Sequence, residues 1–264
     1  MIVKVPFRGL DRTEGAEEAP AKILEALKEI WLSEDGKKPY FSAEEVKVYN
    51  DNIDKSLLAI EESAERFLKG AREKSDRTIF LGGDHSISYA TVKAFLKQNP
   101  GAGLIVFDSH ADLMPTLPSP VHEDWLRSLI EKGIIDADKV RLVGLQNIDE
   151  EERKFADAHK IKTISAKQIF ADGIQDVCDM LMEDARSWSS FYVSVDIDVV
   201  DPAHAPAVAY PEPGGLSSRE LIYFLQRLAL LKNFKAADIV EIIPKKDVNG
   251  ITVKLGAKIL SELM

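Results

Sequence analysis

Phe107-Asp108-Ser109-His110-Ala111-Asp112-Leu113 ends an apolar, strand-like run with acceptor side chains at every second position. In an extended backbone residues i, i+2 and i+4 point to one side, so the spacing predicts that Asp108, His110 and Asp112 converge on one volume. Two carboxylates and an imidazole so placed read as half of a metal site. The other half lies downstream in Phe191-Tyr192-Val193-Ser194-Val195-Asp196-Ile197-Asp198-Val199-Val200-Asp201-Pro202, where Asp196 and Asp198 share one face at the end of a second β-branched and aromatic run. A further ligand, His85, follows the strand-like Thr78-Ile79-Phe80-Leu81 and the pair Gly82-Gly83. Carboxylates held close together repel, and a cation is the usual way to hold four of them. Six ligands suffice for two metals.

Around these motifs the chain alternates apolar strands and amphipathic helices. Strands are predicted at 1–5, 46–49, 78–81, 103–108, 140–145, 162–164, 191–196 and 236–240. Helices are predicted at 19–31, where Ile23, Leu24, Leu27, Ile30 and Trp31 form one stripe, and at 56–72, 87–98, 123–132, 150–159, 173–187, 218–231 and 251–263. Continuous apolar strands alternating with helices imply an α/β fold with a mostly parallel sheet covered on both faces. Ligands in such sheets bind beyond the carboxyl ends of the strands, where all three motifs sit.

Bulk properties narrow the class. The 264 residues suit one large domain spanning 1–264, since no linker or repeat divides them. With 44 acidic against 34 basic residues the net charge is −10, which argues against a nucleic-acid partner and is compatible with a cationic substrate. Cys178 is the single cysteine, so no disulfide forms within the chain. No apolar run approaches the ~20 residues of a membrane helix, and the start does not read as a signal peptide. A soluble, cytoplasmic protein is expected.

Taken together, GGDHS, D-x-H-x-D, S-x-D-x-D-x-x-D-P and the trailing P-E-P-G-G-L resemble the arginase/agmatinase/formiminoglutamase superfamily, the ureohydrolases, in order and spacing from Gly82 to Glu241. The resemblance implies a three-layer α/β/α fold and two Mn2+ per chain, although ligand type alone also admits nickel, cobalt or zinc. By the same match His85 and Asp112 belong to one metal, His110 and Asp198 to the other, and Asp108 and Asp196 bridge them. It further implies a trimeric or hexameric homo-oligomer and a small guanidino or amidino substrate. Each residue also has an ordinary alternative. His85 could be merely exposed in a helix-cap region where Asp84 or Ser86 caps, and Asp108 to Asp112 could be a polar loop. Asp196 and Asp198 could be strand-end acids, and Asp201 is read as shaping its loop.

By the same resemblance, Asp112, His122 and Glu241 carry the expected chemistry. The family places a histidine near the leaving group, and His122 falls on that loop, followed by Glu123 where relatives commonly have glycine. A neutral imidazole suits proton transfer near pH 7. Asp112, assisted by His122, is expected to protonate the departing amine. Glu241 stands where the family has a glutamate that pairs with the guanidinium, a good bidentate match, with Ile243 replacing an asparagine; its alternative is an ion pair with Lys245. Asp149 falls near the expected substrate α-amine but could equally be a helix N-cap, with Gln146 replacing an arginine. Tyr210 replaces a common threonine near the substrate. The loop 114–121 lacks the asparagines that arginases use to hold the amino-acid end. His159, His204 and Cys178 are read as surface, loop and helix-core residues.

The function so implied is hydrolysis of a linear guanidino or amidino compound, releasing urea. Its rivals are a formiminoglutamase-like hydrolase releasing formamide and a non-catalytic scaffold that keeps metals for folding.

Overall fold

A computed structural model describes residues 1–9, 11–49, 51–74 and 76–264. Among them, eight strands form one all-parallel sheet: β1 (Ile2–Val5), β2 (Ala43–Glu45), β3 (Thr78–Gly82), β4 (Gly103–Phe107), β5 (Val140–Leu145), β6 (Lys162–Ser165), β7 (Phe191–Asp196) and β8 (Phe234–Val240). Their order across the sheet is β2-β1-β3-β8-β7-β4-β5-β6.

Helices cover both faces because strand side chains alternate between them. On β4, Ile105 and Phe107 join one apolar core while Leu104 and Val106 join the other, and on β7 Val193 and Val195 face away from Tyr192. The first core is closed by α1 (Ala19–Leu27), α6 (Ala166–Asp172), α7 (Ile174–Ser187), α8 (Ser218–Ala229) and α9 (Ile251–Leu263). The second is closed by α2 (Ile53–Glu73), α3 (Ile87–Gln98), α4 (Trp125–Glu131) and α5 (Glu150–His159). This is the three-layer α/β/α architecture that the alternation predicts. None of the helices is long and apolar enough to cross a membrane among the described residues.

Three local expectations change. The second strand is Ala43–Glu45, not 46–49: only three residues find a register on β1, after which Val46 donates one more bond to Lys4 O and buries its side chain. The first helix ends at Leu27 because Lys28, Glu29 and Ile30 bond three residues back, a tightened last turn that leaves Trp31 85% exposed. Helix α6 is an addition, N-capped by Ser165, whose hydroxyl accepts from Gln168 N.

The sheet sets where the chemistry can sit. β3, β8, β7, β4 and β5 are contiguous, and the segments leaving their carboxyl ends carry His85, Glu241, Asp196 with Asp198, Asp108 to Asp112, and Asp149. β3 and β4 nevertheless lie three strand spacings apart, roughly 14 Å, so their loops must lean toward each other over β8 and β7. Gly83 makes the first lean possible. A Cβ there would lie 1.9 Å from Phe7 O, a backbone atom that cannot swing away. Gly83→Ala is therefore expected to lower stability by about 3 kcal/mol, read as a drop in the urea midpoint. An unchanged midpoint would contradict this packing.

Candidate metal centre

His85 is brought to the sheet's carboxyl end by the turn after β3 and is buried. Its Nδ1 lies 2.9 Å from Asp112 Oδ2, 3.1 Å from Asp108 Oδ2 and 3.3 Å from Asp196 Oδ2. His110 Nδ1 lies 3.0 Å from Asp198 Oδ2 and 3.6 Å from Asp108 Oδ1. Two trios of possible ligands result, His85-Asp108-Asp196 and Asp108-His110-Asp198, sharing Asp108. Asp112 adds a carboxylate beside the first.

The convergence has a different cause from the extended alternation expected. β4 ends at Phe107, and Asp108 to Asp112 form a loop in which Asp112 takes the left-handed region, φ +53°. Likewise β7 ends at Asp196, and Asp198 sits in a 3-10 turn (Ile197–Val199). Strand extension would place i and i+2 side chains parallel but apart; the turns fold them inward around a point.

Most of these carboxylates have one oxygen tied to the backbone and the other turned to the centre. Asp108 Oδ1 accepts from His110 N at 2.6 Å, and Asp196 Oδ1 from Asp198 N at 2.8 Å. Asp198 Oδ1 accepts from Ser109 N at 3.2 Å and from Ser109 Oγ at 2.9 Å. Asp112 Oδ2 accepts from Trp125 Nε1 at 2.6 Å while also facing His85.

Behind His85 a relay runs into the sheet. His85 Nε2 lies 2.8 Å from Ser194 Oγ, which donates to Asp238 Oδ1 at 2.6 Å. A hydroxyl has one proton, and Ser194 gives its proton to Asp238, so it accepts from the ring. Nε2 therefore carries hydrogen and Nδ1 faces the carboxylates. Asp238, fully buried in mid-strand β8, also accepts from Ser88 Oγ at 2.7 Å and Tyr192 OH at 2.9 Å.

Electrostatics test whether a metal fits. Burial pushes the Asp112 carboxyl up, with Asp108 adding repulsion, and pushes Asp196 well up, helped by Asp198 and Asp108. For His85 burial opposes protonation, yet Asp108, Asp112 and Asp196 overcome it and hold the imidazole well above its ordinary range. The protein supplies more negative charge here than its own groups neutralise. His85 Nδ1 and Asp108 Oδ2 are buried without a hydrogen-bond partner among the described residues. Oxygen and imidazole donors around an excess of negative charge fit divalent cations.

A cleft of about 420 Å³ opens beside this cluster. Asp112, Glu123, Asp149, Glu150, Glu152, Asp196, Asp198 and Glu241 line it, with His85, His110 and His122, but no lysine or arginine among the described residues. Glu241 leaves β8 at φ +67°, with its amide bonded to Gly83 O at 2.8 Å. Its Oε1 accepts from His85 N at 2.7 Å, while the buried Oε2 has no hydrogen-bond partner among the described residues. The expected alternative partner, Lys245, instead pairs with Glu18 at 3.0 Å. Burial, then repulsion from Asp84, pushes the Glu241 carboxyl well up, a setting that a cationic ligand relieves.

The remaining predicted residues reach the same cleft. His122 is buried, neither ring nitrogen is hydrogen-bonded among the described residues, and its Nε2 lies 3.6 Å from Glu123 Oε1. Its loop is clamped by Asp124, which accepts from Leu117 N and Val121 N, each at 2.6 Å. Tyr210 places its ring 5.9 Å from that of His110 and 6.1 Å from that of His122, and its hydroxyl accepts from Arg12 Nη1 at 3.3 Å. Asp149 N-caps α5 in a capping box with Glu152, the alternative that its position offered, and its side chain also lines the cleft. Asp201 accepts from Ala203 N at 2.8 Å and Gly214 N at 2.7 Å, tying its loop. His159 and His204 are exposed and Cys178 is buried on α7.

Sequence reading missed Ser194, Asp238, Trp125, Glu152 and the role of Asp84. Asp84 accepts from Gly9 N at 2.6 Å and Thr13 Oγ1 at 2.9 Å, holding the amino-terminal loop beside the site. Only Asp238 left a clear signal, as an acid inside an otherwise apolar strand.

The model of the Arginase family matches residues 1–264. Formimidoylglutamase of Halalkalibacterium halodurans is 32% identical over 220 residues, 82% of this chain and 68% of that protein. Agmatinase of Bacillus subtilis is 30% identical over 228 residues, 85% of this chain and 74% of that protein. The crystal structure of proclavaminate amidino hydrolase from Streptomyces clavuligerus superposes with a TM-score of 0.89 at 25% identity, covering 99% of this chain and 89% of that one.

Removing the relay should loosen the site without touching a candidate ligand. Ser194→Ala is expected to weaken divalent-metal binding about 10–100-fold in a direct titration. An unchanged affinity would show that the orientation of His85 is set elsewhere.

Proposed function

The chain belongs to the Arginase family, and from that premise we propose that its acidic cleft hydrolyses a C–N bond of a linear guanidino or amidino compound, releasing urea from a guanidinium. The observation that carries this reading is Glu241: a buried carboxylate with a free Oε2, on the wall of an acidic cleft, beside clustered metal-ligand side chains. A planar guanidinium offers such a carboxylate two parallel N–H donors and the charge that its surroundings lack.

In this proposal His85, Asp108, His110, Asp112, Asp196 and Asp198 would hold two metal ions, manganese being the expected element. When bound, such a pair supplies Lewis acidity and a water that ionises near neutral pH. The protein's own groups do the rest. Glu241 binds the guanidinium and turns its carbon toward the metal-ligand cluster. Asp112, oriented by Trp125, and His122, with both ring nitrogens free, deliver a proton to the departing amine nitrogen. One water is consumed, the C–N bond breaks, and urea and a protonated amine leave.

The cleft walls bear on the rest of the substrate. Among the described residues no lysine or arginine lines them, the nearest cation being Arg12 on the hydroxyl of Tyr210, whereas Glu123, Asp149 and Glu150 favour a cationic or neutral tail. A second reading, hydrolysis of a formimino compound with release of formamide, is favoured by the 32% identity to a formimidoylglutamase. The same walls disfavour it, because formiminoglutamate carries two carboxylates. Assembly as a homo-oligomer, trimeric or hexameric, and action in the cytoplasm belong to the same proposal by family resemblance; light scattering tests the assembly.

A product assay over arginine, agmatine, shorter guanidino acids and formiminoglutamate with added manganese separates these readings. Urea from a guanidino compound is expected. Formamide alone transfers the protein to the second reading, and no product under several metals favours a metal-stabilised scaffold. Glu241→Gln should keep metal content while reducing turnover, since a charge-assisted pair becomes neutral. Asp196→Ala should abolish both turnover and metal occupancy, whereas His122→Ala should lose only the ~10²–10⁴-fold typical of proton transfer. Equal, mild defects with full metal occupancy would contradict the assignment.

A further inference from the structure

The opposite end of the sheet carries a second cleft, of about 710 Å³, whose floor includes Ile2 at the start of β1, Ile79 of β3 and Phe234 of β8. Lys37, Lys74, Arg77, Lys232 and Lys235 line it against one acidic side chain, Asp76. That inverts the balance of a chain with 44 acids and 34 bases. Among the described residues none of the five cations forms an ion pair with a carboxylate.

Arg77 is the built part of this cleft. Its Nη1 donates to Leu263 O at 3.2 Å and its Nη2 to Ala229 O, and the guanidinium carbon lies 4.6 Å from the centre of the Phe234 ring. Among the described residues these bonds use two of its five N–H donors. Burial pushes the Arg77 guanidinium down from its ordinary range, with no acid pairing to offset it. A fixed, partly buried fork is suited to phosphoryl or carboxylate groups, which accept two parallel N–H bonds. The exposed lysines around it add point charges, and Lys235 is folded back by a 2.8 Å bond from its Nζ to Lys232 O. Tyr40 and Phe41 give the cleft an apolar wall.

Five like charges facing one concavity repel one another and gain from a shared counter-anion. The volume falls in the range of small-molecule sites, roughly 300–1,000 Å³. We propose that this cleft binds a small polyanion, a molecule with two or more phosphoryl or carboxylate groups, at a site separate from the acidic cleft. The two openings lie at opposite ends of β3 and β8, on the order of 20 Å apart along the strands.

Calorimetric titration of the metal-loaded protein at low ionic strength tests this, with pyrophosphate as the phosphoryl probe and propane-1,2,3-tricarboxylate as the carboxylate probe. About one site per chain for at least one probe is expected, and the tighter probe identifies the preferred group. The double variant Lys232→Gln/Lys235→Gln, at two exposed positions, should weaken binding at least about tenfold, and Arg77→Lys should do so while keeping the charge. Asp196→Ala should bind the probe as the unaltered protein does. Three results would overturn the proposal: no saturable binding of either probe, equal affinity in the double-lysine variant, or loss of binding in Asp196→Ala, which would place the probe on the metal centre.

Discussion

Crowding of buried carboxylates is the constraint on which the rest of this structure depends. Asp108, Asp112 and Asp196 approach one imidazole nitrogen within 3.3 Å, in a place where water does little to separate their charges. Such an arrangement persists only if the surrounding backbone fixes it and if positive charge is available. The fold meets the first condition with amide donors to one oxygen of most of these carboxylates, and with left-handed backbone at Asp112 and Glu241. Divalent cations would meet the second.

The parallel sheet makes this possible by separating the tasks of its two halves. Mid-strand residues are almost wholly apolar and bury against helices on both faces. The carboxyl ends are free to hold charge because every strand there simply stops. Asp238 crosses that division. It brings a carboxylate into the sheet's interior, satisfied by the hydroxyls of Ser88, Tyr192 and Ser194, and transmits that order to His85. A partly satisfied network at such depth would be costly, so the four hydroxyl and imidazole partners act as a unit.

Charge is sorted along the strands as well as across them. Among the described residues the carboxyl-end cleft is lined by eight acidic side chains without a lysine or arginine, and the amino-end cleft by five cationic side chains with one acidic one. Net charge of −10 describes neither surface. Under the two proposals a cationic guanidinium would occupy one end and a polyanion the other, so the two ligands would not compete.

Periodicity and composition alone determined the α/β class, the parallel sheet and the identity of the converging acids, because side-chain alternation and strand-end motifs are local properties. Asp108, His110, Asp112, Asp196 and Asp198 were legible as a group for that reason. What brings them together was not: the alternation implied an extended strand, whereas a loop and a 3-10 turn do the work. Glu241's free oxygen, the orphaned ring of His122 and the Ser194–Asp238 support for His85 were decided only by tertiary structure. So was the basic cleft, assembled from the separate loops that carry Lys37, Lys74 and Lys232. Each of these depends on contacts between segments far apart in the chain, and a contact of that kind leaves no spacing in the sequence from which it could be read.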